Sequence, residues 1–394
     1  MSIIATRNRL QPDSIQREIP EGGALADPRY VPALDGLRAI SVVMVLLTHL
    51  SGSRLFQLAD LGGLGVHIFF VISGYLITTI LVGYQESNCG LKAAAVHFYW
   101  RRILRLYPPL LAAILLTMAL GIAQMRDNWW IHALYLSNVQ IAGSGTWNGA
   151  SHFWSLATEE QFYLLWFPLV LLTKGRTRVV LILCALAIGP LYRLGLAAAV
   201  IDAFAPGPGV LLFGKIDALA IGAVLALAAR EPRLGLLFDF FRSGALMGAA
   251  ALLLVASNFL PRLWVPQLWF PSADIFACCL VRFAVSKNID PGLAWLTWRP
   301  VRHTGKISYG LYVYHYFVLD GARLVLDFPE SGPARKLAGI AFIGISFIVA
   351  EISWRLLEAP ILALKSKPVR AIGYSGKQTC SGDNEPRSPT STAA

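Results

Sequence analysis

Ten apolar runs of 17–25 residues divide this 394-residue chain, and each is long enough for an α-helix to cross a bilayer. They fall at residues 34–50, 64–83, 104–124, 153–173, 179–200, 209–229, 243–260, 267–285, 305–322 and 338–362. The short, turn-punctuated alternation of a lipid-facing barrel is missing. Hydrophobic residues make up 56% of the chain and charged residues only 14%, where a soluble domain carries about a quarter. The expected fold class is all-α: a polytopic membrane protein of about ten transmembrane helices enclosing a polar cavity.

The net charge of +11 raises nucleic acid as a partner, but the placement of the basic residues accounts for it. With the N-terminus cytoplasmic, the cytoplasmic segments are 1–33, 84–103, 174–178, 230–242, 286–304 and the C-terminal tail. Together with adjoining span ends they hold 24 Lys/Arg. The opposite connections hold six: Arg54, Arg126, Arg262, Arg323, Arg335 and Lys336. Four more, Arg38, Arg193, Lys215 and Arg355, lie within spans. A four-to-one bias over short loops places both termini on the cytoplasmic side of the membrane, expected to be the inner (plasma) membrane, and no nucleic acid is required.

Residues 1–30 are polar and Pro/Gly-rich, without the apolar stretch of a cleavable signal, so the first span is expected to direct insertion. They and residues 364–394 read as disordered cytoplasmic segments around a membrane domain at 31–363. The five cysteines show no paired spacing; adjacent Cys278 and Cys279 read as small buried hydrophobes, with no metal site. The longest outer connection, Met125–His152, is rich in Trp, Asn and Gly. It reads structurally as an aromatic belt and functionally as a sugar-facing lid.

Ionisable groups inside spans are costly, about 2.5–3.5 kcal/mol at a helix centre, and are paired or turned to a cavity. In "LDGLRAISVVMVLLTHL", Arg38 and His49 lie roughly 20° apart around the helix, with Asp35 about 40° from His49. The same geometry separates Asp35 from His49 by about 21 Å along the axis. A structural reading makes Asp35 and Arg38 a topology anchor and His49 an interfacial residue; a functional reading makes the three a stripe through the membrane. Ser73-Gly74 serves either close helix packing or backbone approach to a ligand. Arg101 and Arg105 share a face at i, i+4, with Arg102 beside them, as a positive-inside anchor or a phosphate clamp. Pro108-Pro109 is expected to bend or restart that helix. Glu159 and Glu160 lie at the outer side of the fourth span, Lys215 and Asp217 at that of the sixth. His315 is well inside the ninth, and Glu358 closes the tenth. So many ionisable groups imply a polar interior belonging to a channel, a transporter or an active site.

Seven motifs in order resemble the membrane acyltransferase-3 family of bacterial polysaccharide and lipopolysaccharide O-acetyltransferases. They are "LDGLRAISVVMVLLTHL", "GGLGVHIFFVISGYLI", "FYWRRILRLYP", "FWSLATEEQFYLLWFPL", "IDALAIGAVLA", "GKISYGLYVYHY" and "LEAP", covering about residues 31–362. The sequence departs from the family pattern at Lys215, where Arg is the more usual residue, and by carrying no esterase-like domain after the last span. The resemblance implies acyl transfer from cytoplasmic acyl-CoA, usually acetyl-CoA, to a hydroxyl of a carbohydrate or glycolipid, with no permanently bound cofactor. It also implies that His49 is the essential histidine, with Asp35 and Arg38 from the same motif. Arg101, Arg102 and Arg105 would meet the CoA end, Ser73-Gly74 would form a Ser-Gly turn, and Glu358 a terminal acidic position.

A thioester is already activated, so the enzyme must raise the nucleophilicity of an alcohol. A neutral imidazole suits that proton transfer at neutral pH, which makes His49 the expected general base or transient acyl acceptor, with Glu160 as its expected orienting partner. The competing class is an exporter or flippase for a polar glycan or lipid, but the internal repeat and matching broken spans of such carriers are missing.

Overall fold

The computed structural model describes residues 30–364 apart from 59, 123, 148, 204–205, 287–290 and 326–331. Save for Tyr30 and Leu364, the segments expected to be disordered lie outside the described residues. Every α and 3₁₀ element among the described residues is helical, and no strand occurs. The helices are α1 (Pro32–Leu50), α2 (Arg54–Leu58), α3 (Leu61–Glu86), α4 (Leu91–Leu120), α5 (Met125–Ala133), α6 (Ser137–Ser144), α7 (Phe153–Leu172) and α8 (Gly175–Ala198). They continue with α9 (Ile216–Ala228), α10 (Gly235–Phe240), α11 (Gly244–Ser257), α12 (Val265–Ala284), α13 (Arg299–Lys306), α14 (Ser308–Val325), α15 (Gly332–Ser353) and α16 (Ala359–Ala363).

The ten expected spans correspond to α1, α3, α4, α7, α8, α9, α11, α12, α14 and α15. By length and apolarity alone α1, α3, α4, α8 and α15–α16 suffice to cross a membrane. The rest are shorter, like α9 and α11, or interrupted by polar and aromatic residues. Exposed Leu183, Leu191, Leu252, Val255, Ile340 and Ile348 on α8, α11 and α15 form an apolar exterior fit for lipid. Cys278 and Cys279 are buried free thiols, as their setting predicts.

Several boundaries differ from the sequence reading, four of them for a clear local reason. Helix α4 starts at Leu91, 13 residues before the expected span, because no helix breaker intervenes between the Gly90 cap and Pro108. It runs through Pro108-Pro109 without a break in helix, braced by α14: the Tyr309 and Tyr314 hydroxyls donate to the carbonyls of Leu106 at 2.7 Å and Pro109 at 3.3 Å. The sixth span opens with 3₁₀ turns at Pro208–Val210 and Leu212–Gly214, so α9 begins only at Ile216. The ninth is divided at Ile307 into α13 and α14. The tenth passes through a π-turn, Trp354–Glu358, where the Ala359 N–H reaches back to Trp354 O. Pro360 follows it and has no N–H to give to Leu356 O, so a regular α-turn cannot be completed.

Backbones meet closely where glycine allows. A Cβ on Gly74 would lie 1.9 Å from Leu219 O, and one on Gly222 would lie 2.1 Å from Val71 O, so α3 and α9 cross through two glycines. The N-terminal end of α1 is gripped by α13, where a Gly305 Cβ would lie 1.9 Å from Asp35 O. Its C-terminal end meets α15, whose Arg335 Nη1 donates to Leu50 O at 2.7 Å.

Candidate active site

Between α1, α3, α4, α7 and α14 lies a small cavity of about 70 Å³. Arg38, Arg102 and Arg105 bring three guanidinium groups to its wall, and Glu159 brings the single carboxylate. That carboxylate accepts a hydrogen bond from Ser73 Oγ at 2.5 Å. Arg102 is held over the Tyr163 ring at 4.7 Å and Phe98 at 5.6 Å, a geometry in which the ring faces favour the cation. The wall itself thus carries three cations and one carboxylate, with Asp35 behind Arg38.

The expected arginine cluster is therefore altered. Arg102 and Arg105, at i, i+3, face the cavity, while Arg101 is exposed and does not line it. Ser73-Gly74 also divides: Ser73 lines the cavity, whereas Gly74 serves the crossing with α9, the packing reading of that pair. Asp35 is buried beneath Arg38 Nη1 at 3.5 Å and does not line the cavity. Glu358 is placed inside by the π-turn, accepts from Ser353 Oγ at 3.1 Å, and lies within electrostatic reach of Arg105.

At the other end of the Arg38 stripe, His49 Nδ1 lies 3.0 Å from His315 Nε2. His315 Nδ1 lies 2.7 Å from the Tyr312 carbonyl oxygen. A carbonyl only accepts, so His315 carries its proton on Nδ1 and presents a lone pair at Nε2. His49 must then donate from Nδ1, which leaves its own Nε2 with a free lone pair. No partner occupies that nitrogen among the described residues, and His49 itself is only half-buried. The backbone of α14 thus sets the tautomer of a base two rings away. Tyr312 links this pair to the cavity: it lines the wall, its hydroxyl meets Ser155 Oγ at 2.5 Å, and it donates to His152 O at 3.0 Å. His152 completes the cluster, stacked on Tyr316 with ring centroids 5.1 Å apart and with Nε2 3.1 Å from Val313 O.

The expected partner of His49 was Glu160, and the structure corrects this to His315. Glu160 is within electrostatic reach of Arg102, Tyr107, Tyr135 and Tyr309, and its Oε1 is buried without a partner among the described residues.

Lys215 and Asp217 belong to a second polar centre on another face of α3. Asp217 accepts two hydrogen bonds from Arg193, at 3.0 and 2.6 Å, and Arg193 also donates to Gly214 O at 2.8 Å. His67 Nδ1 lies 2.5 Å from Asp274 Oδ1. Lys215 Nζ sits 3.6 Å from the centroid of Phe270. These contacts tie α3, α8, α9 and α12 together.

In the Met125–His152 connection, Trp129, Trp130 and Trp147 are exposed. Asn138 and Gln161 exchange hydrogen bonds at 2.9 and 2.8 Å, fastening α6 to α7. Burial holds the His132 imidazole of α5 down at about 4, so at neutral pH it is uncharged and meets Ser137 Oγ at 2.8 Å. The connection ends at His152, beside the histidine pair.

Sequence reasoning missed His152, Tyr312, His67 and Asp274 and left Arg193 without a partner. Tyr312 and His152 carried a readable signal, since one lies three residues before His315 and the other heads the segment bearing Glu159 and Glu160. Asp274 gave none beyond being an acid in a span.

A multi-pass helical membrane protein with a basic cavity next to a tautomer-fixed histidine pair is the class that fold and site define. The acyltransferase domain of the acyltransferase-3 family matches residues 31–352, and the chain belongs to that family. It is 29% identical over 364 residues to the peptidoglycan O-acetyltransferase OatA of Listeria monocytogenes, covering 84% of this chain and 56% of the relative. It is 31% identical over 384 residues to the O-acetyltransferase OatA of Staphylococcus aureus, covering 89% and 60%. The putative peptidoglycan O-acetyltransferase YrhL of Bacillus subtilis is 30% identical over 385 residues, with 84% and 55% covered. The matched region spans less than two thirds of each of these relatives. No solved structure matches the chain.

Proposed function

We propose that this protein is an integral-membrane O-acyltransferase that moves an acyl group, acetyl first of all, from acyl-CoA to a hydroxyl of a carbohydrate or glycolipid. The observation that carries the reading is the continuity from the three-guanidinium cavity, through Tyr312, to the His49–His315 pair. The basic bias of the loops supports a cytoplasmic position for the Asp35 end of α1, the side from which acyl-CoA would enter as a substrate. The names of the relatives make a peptidoglycan hydroxyl the first acceptor to test.

In the transfer, the acceptor oxygen bonds to the thioester carbonyl carbon and the C–S bond breaks. The hydroxyl proton goes to His49 Nε2 and from there to the departing thiolate, giving the ester and free CoA. A positioned base of this kind contributes about 10²–10⁴-fold. His315 positions it by accepting from Nδ1–H. Arg38, Arg102 and Arg105 offer planar forks to anionic and carbonyl oxygens of the donor.

The test is release of free thiol from acetyl-CoA by the purified protein with a glycan acceptor, together with a one-acetyl mass gain on that glycan. The expected result is both signals for wild type and neither for a folded His49→Ala variant. Wild-type-like transfer by His49→Ala removes the assignment. Glycan movement across vesicles without thiol release supports the exporter reading.

A further inference from the structure

Arg299, Arg302, His303 and Lys306 occupy positions i, i+3, i+4 and i+7 of α13, so one face of an eight-residue helix carries all four. With Pro300 they line a groove outside the cavity. Another side of the same helix is pressed onto α1, where Gly305 leaves no room for a Cβ against Asp35 O. The basic face is therefore fixed beside the turn of α1 that brings Arg38 into the cavity. Lys306 is two residues from Ser308, which lines that cavity. The carboxylate that meets this face is Glu351, whose oxygens are taken by His303 and Arg355, each at 2.6 Å. Arg299 and Lys306 have no ion-pair partner among the described residues.

We propose that this face of α13 binds the 3′-phosphorylated ADP end of the acyl-CoA donor, with the thioester arm passing to Arg38, Arg102 and Arg105 in the cavity. The proposal rests on the acyl-CoA reading above. CoA is divided chemically in the same way as the protein surface. A phosphomonoester of about −1.5 to −2 charge and a pyrophosphate lie at one end, and an uncharged arm leads to the thioester at the other. Beyond its arginines the cavity wall mixes apolar Val66, Phe69, Phe70 and Leu156 with hydroxyl-bearing Ser73, Ser155 and Tyr312, which suits an arm of methylenes and amides, while Glu159 on the same wall opposes a phosphate. A rigid groove with two uncommitted cations at its side is the complementary seat for phosphate oxygens.

The experiment measures initial rates in nanodiscs with acetyl-CoA, acetyl-3′-dephospho-CoA and acetyl-pantetheine, for wild type and the double variant Arg299→Gln/Lys306→Gln. The expected result is a KM for acetyl-CoA raised about tenfold in the variant, equivalent to about 1.4 kcal/mol, with kcat unchanged. The KM for acetyl-pantetheine should be equal in both proteins, and that for the dephospho form should rise less than that for acetyl-CoA. An undiminished preference of the variant for acetyl-CoA over its dephospho form overturns the proposal while leaving the donor reading intact. So does a KM effect seen in nanodiscs of anionic lipid and lost in zwitterionic lipid, which would make the head group of an anionic lipid the ligand of α13. If wild type releases thiol from none of the three donors, the acyl-CoA reading fails and the proposal falls with it.

Discussion

Helix α3 separates two buried polar regions that use the same residue types to opposite ends. On the face carrying Ser73, three guanidinium groups border an open cavity whose wall carries one carboxylate, Glu159. On the face carrying His67 and Gly74, Arg193 is spent on Asp217, His67 on Asp274, and Lys215 on an aromatic ring. The glycine crossing of α3 and α9 closes that side. A charge within the membrane is thus no mark of function by itself. The mark is a surplus of one sign around a volume that the protein does not fill.

The widest separation between the two regions should come from breaking the Arg193–Asp217 pair. Arg193 is 1% exposed, so Arg193→Met leaves an uncompensated carboxylate in the interior, which costs about 3–5 kcal/mol. The expected outcome is a large loss of folded protein in thermal or denaturant unfolding, with turnover per folded molecule close to wild type. Arg105→Gln on the cavity face should do the reverse, abolishing most turnover while the unfolding midpoint barely moves. If Arg193→Met stays fully folded and loses turnover instead, the second region is catalytic and the distinction collapses.

Neighbouring residues on α3 give a finer test. A methyl group at Gly74 must displace the backbone at Leu219 O, so Gly74→Ala should destabilise by about 1–3 kcal/mol through overpacking. Ser73→Ala removes the hydrogen bond to Glu159 and the contact with the Tyr163 hydroxyl, with a net effect of about 1 kcal/mol, and should register in donor KM before it registers in unfolding. Equal unfolding losses for both would show that the two faces share one structural role.

These residues also show what a sequence can disclose. The spans were legible because bilayer thickness fixes their length, and the Arg38–His49 stripe because helical periodicity is a property of one segment. Arg102 and Arg105 were legible as a basic pair, but their orientation was not: Arg101 and Arg105 satisfy i, i+4 as well as Arg102 and Arg105 satisfy i, i+3. Which pair turns inward depends on where α4 begins and what it packs against. The same applies to Ser73-Gly74, whose division becomes visible only when α9 is in place. His315 was legible as an intramembrane histidine, yet it lies 266 residues from His49, and no local pattern encodes that distance. Charges can be found along a chain, but their partners are set by helix packing.

The smallest expected effect tests the tautomer relay itself. His315→Leu removes the acceptor for His49 Nδ1–H, so the proton is free to move to Nε2, where it blocks the lone pair needed for the transfer. The expected loss in kcat is about two- to fivefold, the lower part of the range of one net hydrogen bond, about 0.5–1 kcal/mol. Gln at the same position supplies a carbonyl oxygen for His49 and an amide N–H for Tyr312 O, so His315→Gln should recover most of that loss. A purely structural His315 predicts the opposite order, because Leu fits an apolar interior better than Gln does. Pre-steady-state thiol release from both variants, compared at equal amounts of folded protein, decides between a relay and a packing residue.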